Sequence, residues 1–304
     1  MNERSGISPG VIGLGSMGLG AATSLVRAGF ATRGCDVSAE ACARFATAGG
    51  VIADGPAALA AACDVAAVFV VNADQIEQAL FASGAVAAAK PGTVFILSAT
   101  IPPARAVDFG ERLAAAGLLA IDAPVSGGAA KAAEGAMTIM ASGSPEAFER
   151  AGPVLDAIST RVFRLGDAPG EGSRMKLVNQ HLAGVHIAAA AEALVLAIAM
   201  GLDPHRVIET IRDCAGTSWM FENRGPHIAE GDYRPLSAVD IFVKDLGIVL
   251  EESGRHGLDP VLAAKALDQY RRAAAAGLGR NDDSAVAKIY AADAGIALPE
   301  RAGA

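Results

Sequence analysis

The sequence predicts an α/β chain: a doubly wound, mainly parallel β-sheet followed by an all-helical second half. Three observations carry this. Between residue 9 and about residue 125, short apolar runs alternate with Ala-rich amphipathic runs. The apolar runs are continuous rather than alternating, the mark of strands buried on both faces. After Gly166 strand signals stop, and the remaining patterns are helical.

The strands are expected at residues 11–14, 31–36, 64–71, 93–98 and 118–124, with helices at 21–28, 39–48 and 103–116. That βαβαβ order is the pattern of a parallel sheet with crossover helices. Two further strands, 137–142 and 162–165, flank a helix at 145–158 and extend the same sheet. Residues 166–172, GDAPGEG, are rich in turn formers and mark a domain junction. The expected domains are therefore 1–168 and 169–304. The second opens on a helix from about Ser173 to Met200, roughly 40 Å long at about 1.5 Å per residue. Further helices are expected near 204–214, 237–256 and 260–276.

A chain of 304 residues with 52% hydrophobic and 19% charged residues can bury a sizeable core in two domains. Its net charge of −8 repels phosphate backbones, which argues against a nucleic-acid partner. Cys35, Cys42, Cys63 and Cys214 form neither a CxxC pair nor a Cys/His cluster, so no metal site and no disulfide framework is expected. They read as small hydrophobes in a reducing compartment. The opening MNERSGISPG lacks the apolar stretch of a signal peptide. Residues 182–202 match a membrane span in length, but the run contains His186 and Glu192 and follows Arg174 and Lys176. A buried helix explains it better, so a cytoplasmic protein with no membrane partner is expected.

Gly13-Leu14-Gly15-Ser16-Met17-Gly18 is a GxGxxG motif between the first strand and the first helix. In that context it is the dinucleotide fingerprint of a Rossmann fold. Gly13 permits the tight turn, Gly15 leaves room for a pyrophosphate, and Gly18 lets the helix pack closely. The anion then lies at the positive end of the helix dipole. Asp36 ends the second strand, 18 residues beyond Gly18, where a carboxylate can accept hydrogen bonds from ribose hydroxyls. It would repel a 2′-phosphate, and Val37 and Ser38 stand where a basic residue would serve NADP. The expected cofactor is NAD. Two more strand ends, at Val71-Asn72 and Ser98-Ala99-Thr100, should line the same cleft.

Asp122-Ala123-Pro124-Val125-Ser126-Gly127-Gly128 follows the last parallel strand. Ser126, Gly127 and Gly128 expose backbone N–H groups with little steric cover, a natural cradle for a carboxylate. Gly170-Glu171-Gly172-Ser173-Arg174-Met175-Lys176 opens the long helix, with Asn179 and Gln180 three and four residues beyond the lysine on a shared face. An almost uncharged run follows Lys176, which argues for its burial. A lysine desolvated in a cleft can exchange protons near neutral pH.

Together, VIGLGSMG, DAPVSGG, the GxGxxxK of 170–176 and Lys244-Asp245-Leu246 resemble the β-hydroxyacid dehydrogenase family, which includes 3-hydroxyisobutyrate dehydrogenase and tartronate semialdehyde reductase. The resemblance covers nearly the whole chain. Segments 218–224 (SWMFENR), 237–245 (SAVDIFVKD) and 282–286 (DDSAV) resemble the L-threonate dehydrogenase subfamily more closely. The resemblance implies that Lys176 is the general acid/base and that Ser126, Gly127 and Gly128 hold the substrate carboxylate. It implies further that Thr100 touches the nicotinamide side of the cofactor and that Lys244 approaches it from the helical domain. The family often carries Asn four residues after the lysine. Here Asn179 stands at three and Gln180 at four, so either carboxamide can be the one that meets the substrate. The family's DxST pattern is altered to Leu97-Ser98-Ala99-Thr100, and only Thr100 carries over.

The implied reaction is oxidation of L-threonate to 2-oxo-tetronate by NAD. The alternatives are a shorter acid, such as 3-hydroxyisobutyrate or tartronate semialdehyde, and a non-catalytic NAD-binding scaffold on the same fold. A 6-phosphogluconate dehydrogenase fits less well because its helical domain is longer. Trp219, Phe221 and Asn223 could shape a substrate pocket or serve packing; His181 and His186, on the apolar helix, read as core histidines. A homodimer or homotetramer is expected, since exposed apolar helix faces find partners.

Overall fold

The computed structural model describes residues 6–301 and divides into two compact units, Met1–Lys176 and Leu177–Ala304.

The first unit is built on a nine-stranded sheet. In chain order it comprises β1 (Pro9–Ile12), α1 (Ser16–Arg27), β2 (Arg33–Cys35), α2 (Ala39–Thr47), β3 (Val51–Ile52), α3 (Pro56–Ala62), β4 (Val65–Val68), α4 (Ala73–Ile76), α5 (Ala85–Ala88), β5 (Val94–Leu97), α6 (Pro103–Ala115), β6 (Leu119–Asp122), β7 (Val125–Ser126), α7 (Gly128–Glu134), β8 (Met137–Gly143), α8 (Pro145–Ile158) and β9 (Ser159–Gly166). The strand order is β3-β2-β1-β4-β5-β6-β8-β7, with β9 on β8. β1 to β6 are parallel; β8 runs antiparallel to β6 and β7 and parallel to β9. The order reverses between β1 and β4, and in such sheets ligands lie beyond the carboxyl ends of the strands at that switch point.

The continuous apolar strands explain the two-sided core. Val11, Val65, Ala67, Val94 and Ile96 pack into one cluster, while Ile12, Ala66, Val68, Phe95 and Leu97 pack into another. Successive residues of a strand face opposite sides, so both parities must be apolar when helices cover both faces. Each of the Val, Leu, Ile and Phe side chains among them contributes roughly 1.5–3 kcal/mol when fully buried.

The expected fold class is the observed one; β2, β4, β5 and β6 are shorter than expected, β8 and β9 longer, and β1 begins two residues earlier. The run expected at 64–71 pairs only over Val65–Val68, because Phe69, Val70 and Val71 leave the sheet to line a cleft. β3 was not expected: its two residues, Val51 and Ile52, are both exposed at the sheet edge and too few to show a period. The short helices α3, α4, α5 and α7 also escaped the periodic reading. Their signals are local, as with Pro56 in the first turn of α3 and Asn72, whose side chain caps α4 by accepting from the Gln75 N–H at 2.9 Å.

The second unit is helical. α9 (Glu171–Ala199) enters it from the first, and α10 (Pro204–Ile211), α11 (Trp219–Glu230), α12 (Val239–Arg255), α13 (Val261–Ala273) and α14 (Ala287–Ala294) follow. α9 is long and apolar enough to cross a membrane by length and composition. Its Ile187, Ala191 and Leu194, at helical spacing, are instead buried in a core with Phe242 and Leu246 of α12 and Leu267 and Tyr270 of α13. Phe242 and Tyr270 stack with centroids 5.3 Å apart, and the Tyr270 hydroxyl donates to the Gly184 carbonyl of α9 at 3.1 Å. α9 is a core helix. His181 and His186 are half-buried on it rather than in the core as expected, because the buried stripe runs through Ala183, Ile187 and Ala191.

Candidate active site

The glycine turn closes against the sheet as its sequence requires. Gly13 adopts φ +90°, a conformation that favours glycine, and a Cβ there would lie 2.2 Å from the Phe69 carbonyl oxygen. A Cβ on Gly18 would meet the Gly13 oxygen at 1.9 Å. Gly15 differs: a Cβ there would meet nothing within 4 Å, so it would project into open space. Gly15 precedes α1, whose first turn contains Ser16 and Met17, while Leu14 is buried behind the turn. The N–H groups of such a first turn lack helical acceptors and suit an anion.

Asp36 lies just beyond β2. Its carboxylate accepts from the Leu14 N–H at 2.6 Å and the Ser38 N–H at 2.8 Å. One oxygen thus faces the glycine turn and the other its own loop, and each retains a lone pair for a further donor. A cleft of about 750 Å³ opens here, bounded by Gly13, Gly15, Asp36, Val37, Pro56 and Val71. Val37 is wholly exposed on its rim. These features fit a dinucleotide: open space over Gly15 for the pyrophosphate, and a carboxylate for the adenosine ribose. Asn72 is engaged in capping α4, and the Val71 N–H donates to the Gln75 side chain at 2.7 Å. Thr100 is half-buried just beyond β5. Sequence reasoning missed Ile52, Ala53, Gln75 and Gln78, which also line the cleft. The Asp54-Gly55-Pro56 turn signal was the available clue to the first two.

Cys35 and Cys63 are buried, and burial pushes their thiols up to about 12 and about 11, so neither is a nucleophile near neutral pH.

The second constellation of the first unit surrounds β6, β7 and the start of α9. Ser126 pairs with Thr138 of β8, and Gly127 and Gly128 turn the chain into α7 with φ +124° and +71°. Lys176 is 7% exposed, and its Nζ donates to the Val125 carbonyl at 2.8 Å. The amine therefore lies beside the Ser-Gly-Gly turn. Asp122, singled out in sequence only as part of its motif, is fully buried and faces the first turn of α9. Burial pushes its carboxyl up, against the hydrogen bonds from Ser173, Gly170 and Ser142.

In the second unit, Gln180 Nε2 donates to Asp245 at 2.5 Å, and its Oε1 accepts from Asn179 Nδ2 at 2.9 Å. Lys244 Nζ pairs with the other Asp245 oxygen at 2.5 Å. Gln180 thus has both ends of its carboxamide engaged. The three segments with subfamily character also come together here. Arg224 pairs with Asp283 at 2.6 and 3.1 Å, His227 meets Asp282 at 3.0 Å, and the Asp283 N–H donates to the Ser237 carbonyl at 2.8 Å. Phe221 is core, Trp219 is exposed, and Asn223 accepts from Arg224.

Known proteins match the chain along nearly its whole length. Residues 8–166 match the model of the NAD binding domain of 6-phosphogluconate dehydrogenase, and residues 170–290 match that of the NAD-binding region of NADP-dependent 3-hydroxyisobutyrate dehydrogenase. The chain is 56% identical to L-threonate dehydrogenase of Cupriavidus necator, covering 96% of this chain and 98% of that one. It is 49% identical to L-threonate dehydrogenase of Escherichia coli K12, covering 98% and 99%. A crystal structure of 3-hydroxyisobutyrate dehydrogenase from Salmonella typhimurium is 47% identical with a TM-score of 0.89, covering 93% of this chain and 100% of that one.

Proposed function

The chain belongs to the 3-hydroxyisobutyrate dehydrogenase-like family of nicotinamide-dependent hydroxyacid dehydrogenases, and from that membership we propose that it oxidises L-threonate to 2-oxo-tetronate with NAD, using Lys176 as general acid/base. The observation that carries the lysine's role is its 2.8 Å hydrogen bond to the Val125 carbonyl, which holds a buried amine next to Ser126, Gly127 and Gly128. The Ser-Gly-Gly turn binds the substrate carboxylate and thereby orients the carbinol carbon. NAD, when bound, supplies the hydride acceptor. As hydride leaves that carbon, the Lys176 amine takes the hydroxyl proton, and the carbonyl forms.

Preference for NAD over NADP rests on Asp36, whose carboxylate would repel a 2′-phosphate. Gly13, Leu14, Gly15, Ser16, Met17 and Gly18 form the cofactor loop, in which Gly15 and the first turn at Ser16 and Met17 face the pyrophosphate while Gly13, Leu14 and Gly18 shape the turn; Val71, Asn72 and Thr100 flank the cofactor, and Lys244 serves it from the helical unit. Of the two carboxamides, Asn179 meets the substrate, because Gln180 is tied between Asp245 and Asn179. The protein works in the cytoplasm as a homodimer or homotetramer; exposed Leu196, Met200 and Leu202 in the second unit favour self-association.

The likeness to the Salmonella 3-hydroxyisobutyrate dehydrogenase supports a second reading, the branched acid 3-hydroxyisobutyrate as substrate. A panel of L-threonate, 3-hydroxyisobutyrate and tartronate semialdehyde, followed by NAD(H) absorbance with both cofactors, decides between them. L-threonate with NAD is expected to give the highest kcat/KM. No signal with L-threonate and turnover of a shorter acid would overturn the proposal.

A further inference from the structure

We propose that Asp122 is the positioning residue for Lys176. It clamps the first turn of the lysine's helix to the end of β6 and so sets the amine on the Val125 carbonyl. This rests on the reading of Lys176 as the acid/base.

Asp122 Oδ2 accepts from the Gly170 N–H at 3.0 Å and the Ser173 N–H at 2.7 Å, while Oδ1 accepts from the Ser173 hydroxyl at 2.7 Å. Ser142 adds a second anchor: its Oγ accepts from the Gly172 N–H at 3.0 Å and lies 3.5 Å from Asp122 Oδ2. Three N–H groups that open α9 are thus satisfied by side chains of the sheet. Gly172 permits the approach, since a Cβ there would lie 2.5 Å from the Met140 carbonyl oxygen and 2.6 Å from the Asp122 carbonyl oxygen. On the sheet side, Asp122 is in register with Leu97 of β5 and Ser142 of β8, so its backbone is held from both neighbours.

The spacing turns this clamp into a positioning device. Val125 lies three residues beyond Asp122, and Lys176 lies three residues beyond Ser173, one helical turn on. The same two segments therefore touch twice, carboxylate to backbone at one point and amine to carbonyl at the other. Releasing the first contact frees the first turn of α9, and a misplacement of about 1 Å at a reacting group can cost roughly a hundredfold in rate. Asparagine can keep most of the clamp: its oxygen can accept the two N–H groups, and its amide can donate to the Ser173 hydroxyl.

The test uses the full-length protein and the variants Asp122→Ala, Asp122→Asn, Ser173→Ala and Lys176→Ala. One readout needs neither substrate nor cofactor: the rate at which acetic anhydride labels Lys176, quantified by peptide mass spectrometry at fixed pH. The other is kcat and KM for L-threonate with NAD. Asp122→Ala should label Lys176 several-fold faster and lose at least about tenfold in kcat, with KM for NAD unchanged. Asp122→Asn should restore most of both. If Asp122→Ala does not fold, Ser173→Ala is expected to show the same pair of changes at smaller size. Folded variants with a lower melting temperature but wild-type labelling and kcat would overturn the proposal. Full activity in Lys176→Ala would instead overturn the lysine's assignment, and an inactive wild type with normal labelling responses would locate the failure in the substrate.

Discussion

The Leu14 N–H donates to Asp36 Oδ2 at 2.6 Å, so the carboxylate just beyond β2 is bound to the glycine turn itself. The proposed ribose site and the proposed pyrophosphate site are thereby one structure. Removing the carboxylate loosens the turn as well as deleting acceptors for the cofactor. Hydrogen bonds to charged groups contribute about 1.5–3 kcal/mol, which corresponds to roughly a 10- to 150-fold change in affinity. Asp36→Ala should weaken NAD binding by about that factor in a fluorescence titration, leave kcat at saturating NAD near the wild-type value, and raise the NADP/NAD preference. Unchanged NAD affinity would remove Asp36 from the cofactor site.

Gly15 and Gly18 belong to the same motif but answer to different constraints. A Cβ on Gly18 collides with the Gly13 oxygen and approaches Phe69 Cβ at 2.9 Å, whereas one on Gly15 enters open space. Gly18→Ala should therefore destabilise the first unit by about 1–3 kcal/mol, the usual cost of overpacking. Gly15→Ala should keep the wild-type melting temperature and lose cofactor affinity. Differential scanning calorimetry with and without NAD separates the two effects. Equal melting temperatures for both variants without NAD would contradict this division.

Lys176→Ala removes the proposed acid/base and leaves the glycine turn untouched. Turnover should fall at least about a hundredfold, the usual scale for general acid–base catalysis, with NAD affinity intact. Stopped-flow hydride transfer and NAD titration check the two halves. Near-normal transfer rates would discard the assignment.

The sheet was legible because its physics is repetitive. Val11 and Ile12, or Ile96 and Leu97, are apolar on both parities only when helices cover both faces. The glycine fingerprint and Asp36 were legible because backbone approach and charge leave single-residue marks. β3 was not, since two exposed residues carry no period. α11 was obscured by Gly225 and Pro226 inside it, although Ser218 caps its start by accepting from the Phe221 N–H at 3.0 Å. The clamp by Asp122 was hidden for another reason: it joins residues about fifty positions apart, and no local pattern encodes such a contact. The segments at 218–224, 237–245 and 282–286 carried the subfamily resemblance. Two of their buried charged members, Arg224 and Asp283, hold one another.

His227 and Asp282 make stability depend on pH from two directions. The Asp282 carboxylate holds the His227 imidazole above its ordinary value of 6.5, against partial burial. Asp282 itself is held down to about 2, its burial outweighed by hydrogen bonds from His227, Ser284 and Leu236. A group with a raised folded pKa stabilises most below its unfolded value and loses that contribution as pH rises through the folded one. The His227 contribution is therefore complete below about pH 6.5 and fades above it. Asp282 contributes above about pH 4 and fades as pH falls toward 2. His227→Gln should lower the melting temperature most between pH 5 and 6, and the gap to wild type should narrow toward pH 9. A gap that widens with pH would mean that the neutral imidazole is the stabilising form.

Arg224 and Asp283 form a buried pair, 6% and 0% exposed. Burial pushes the Asp283 carboxyl up to about 6, and the Arg224 guanidinium opposes that shift. Losing one partner strands the other charge in the helical core, which typically costs about 3–5 kcal/mol. Arg224→Met should therefore destabilise the second unit by about that amount. In Asp283→Asn the guanidinium keeps one neutral acceptor and the loss should be smaller. The double variant Arg224→Met/Asp283→Leu removes both members of the pair and leaves Asp282 its contact with His227, and replacing a whole buried pair with apolar residues is often nearly neutral. It should recover most of the stability lost by Arg224→Met alone, as urea denaturation can measure. If the double variant is as unstable as the sum of its singles, the pair contributes through its connections to Ser237 and Asp282 rather than through charge compensation, and the three segments stand as one hydrogen-bonded unit.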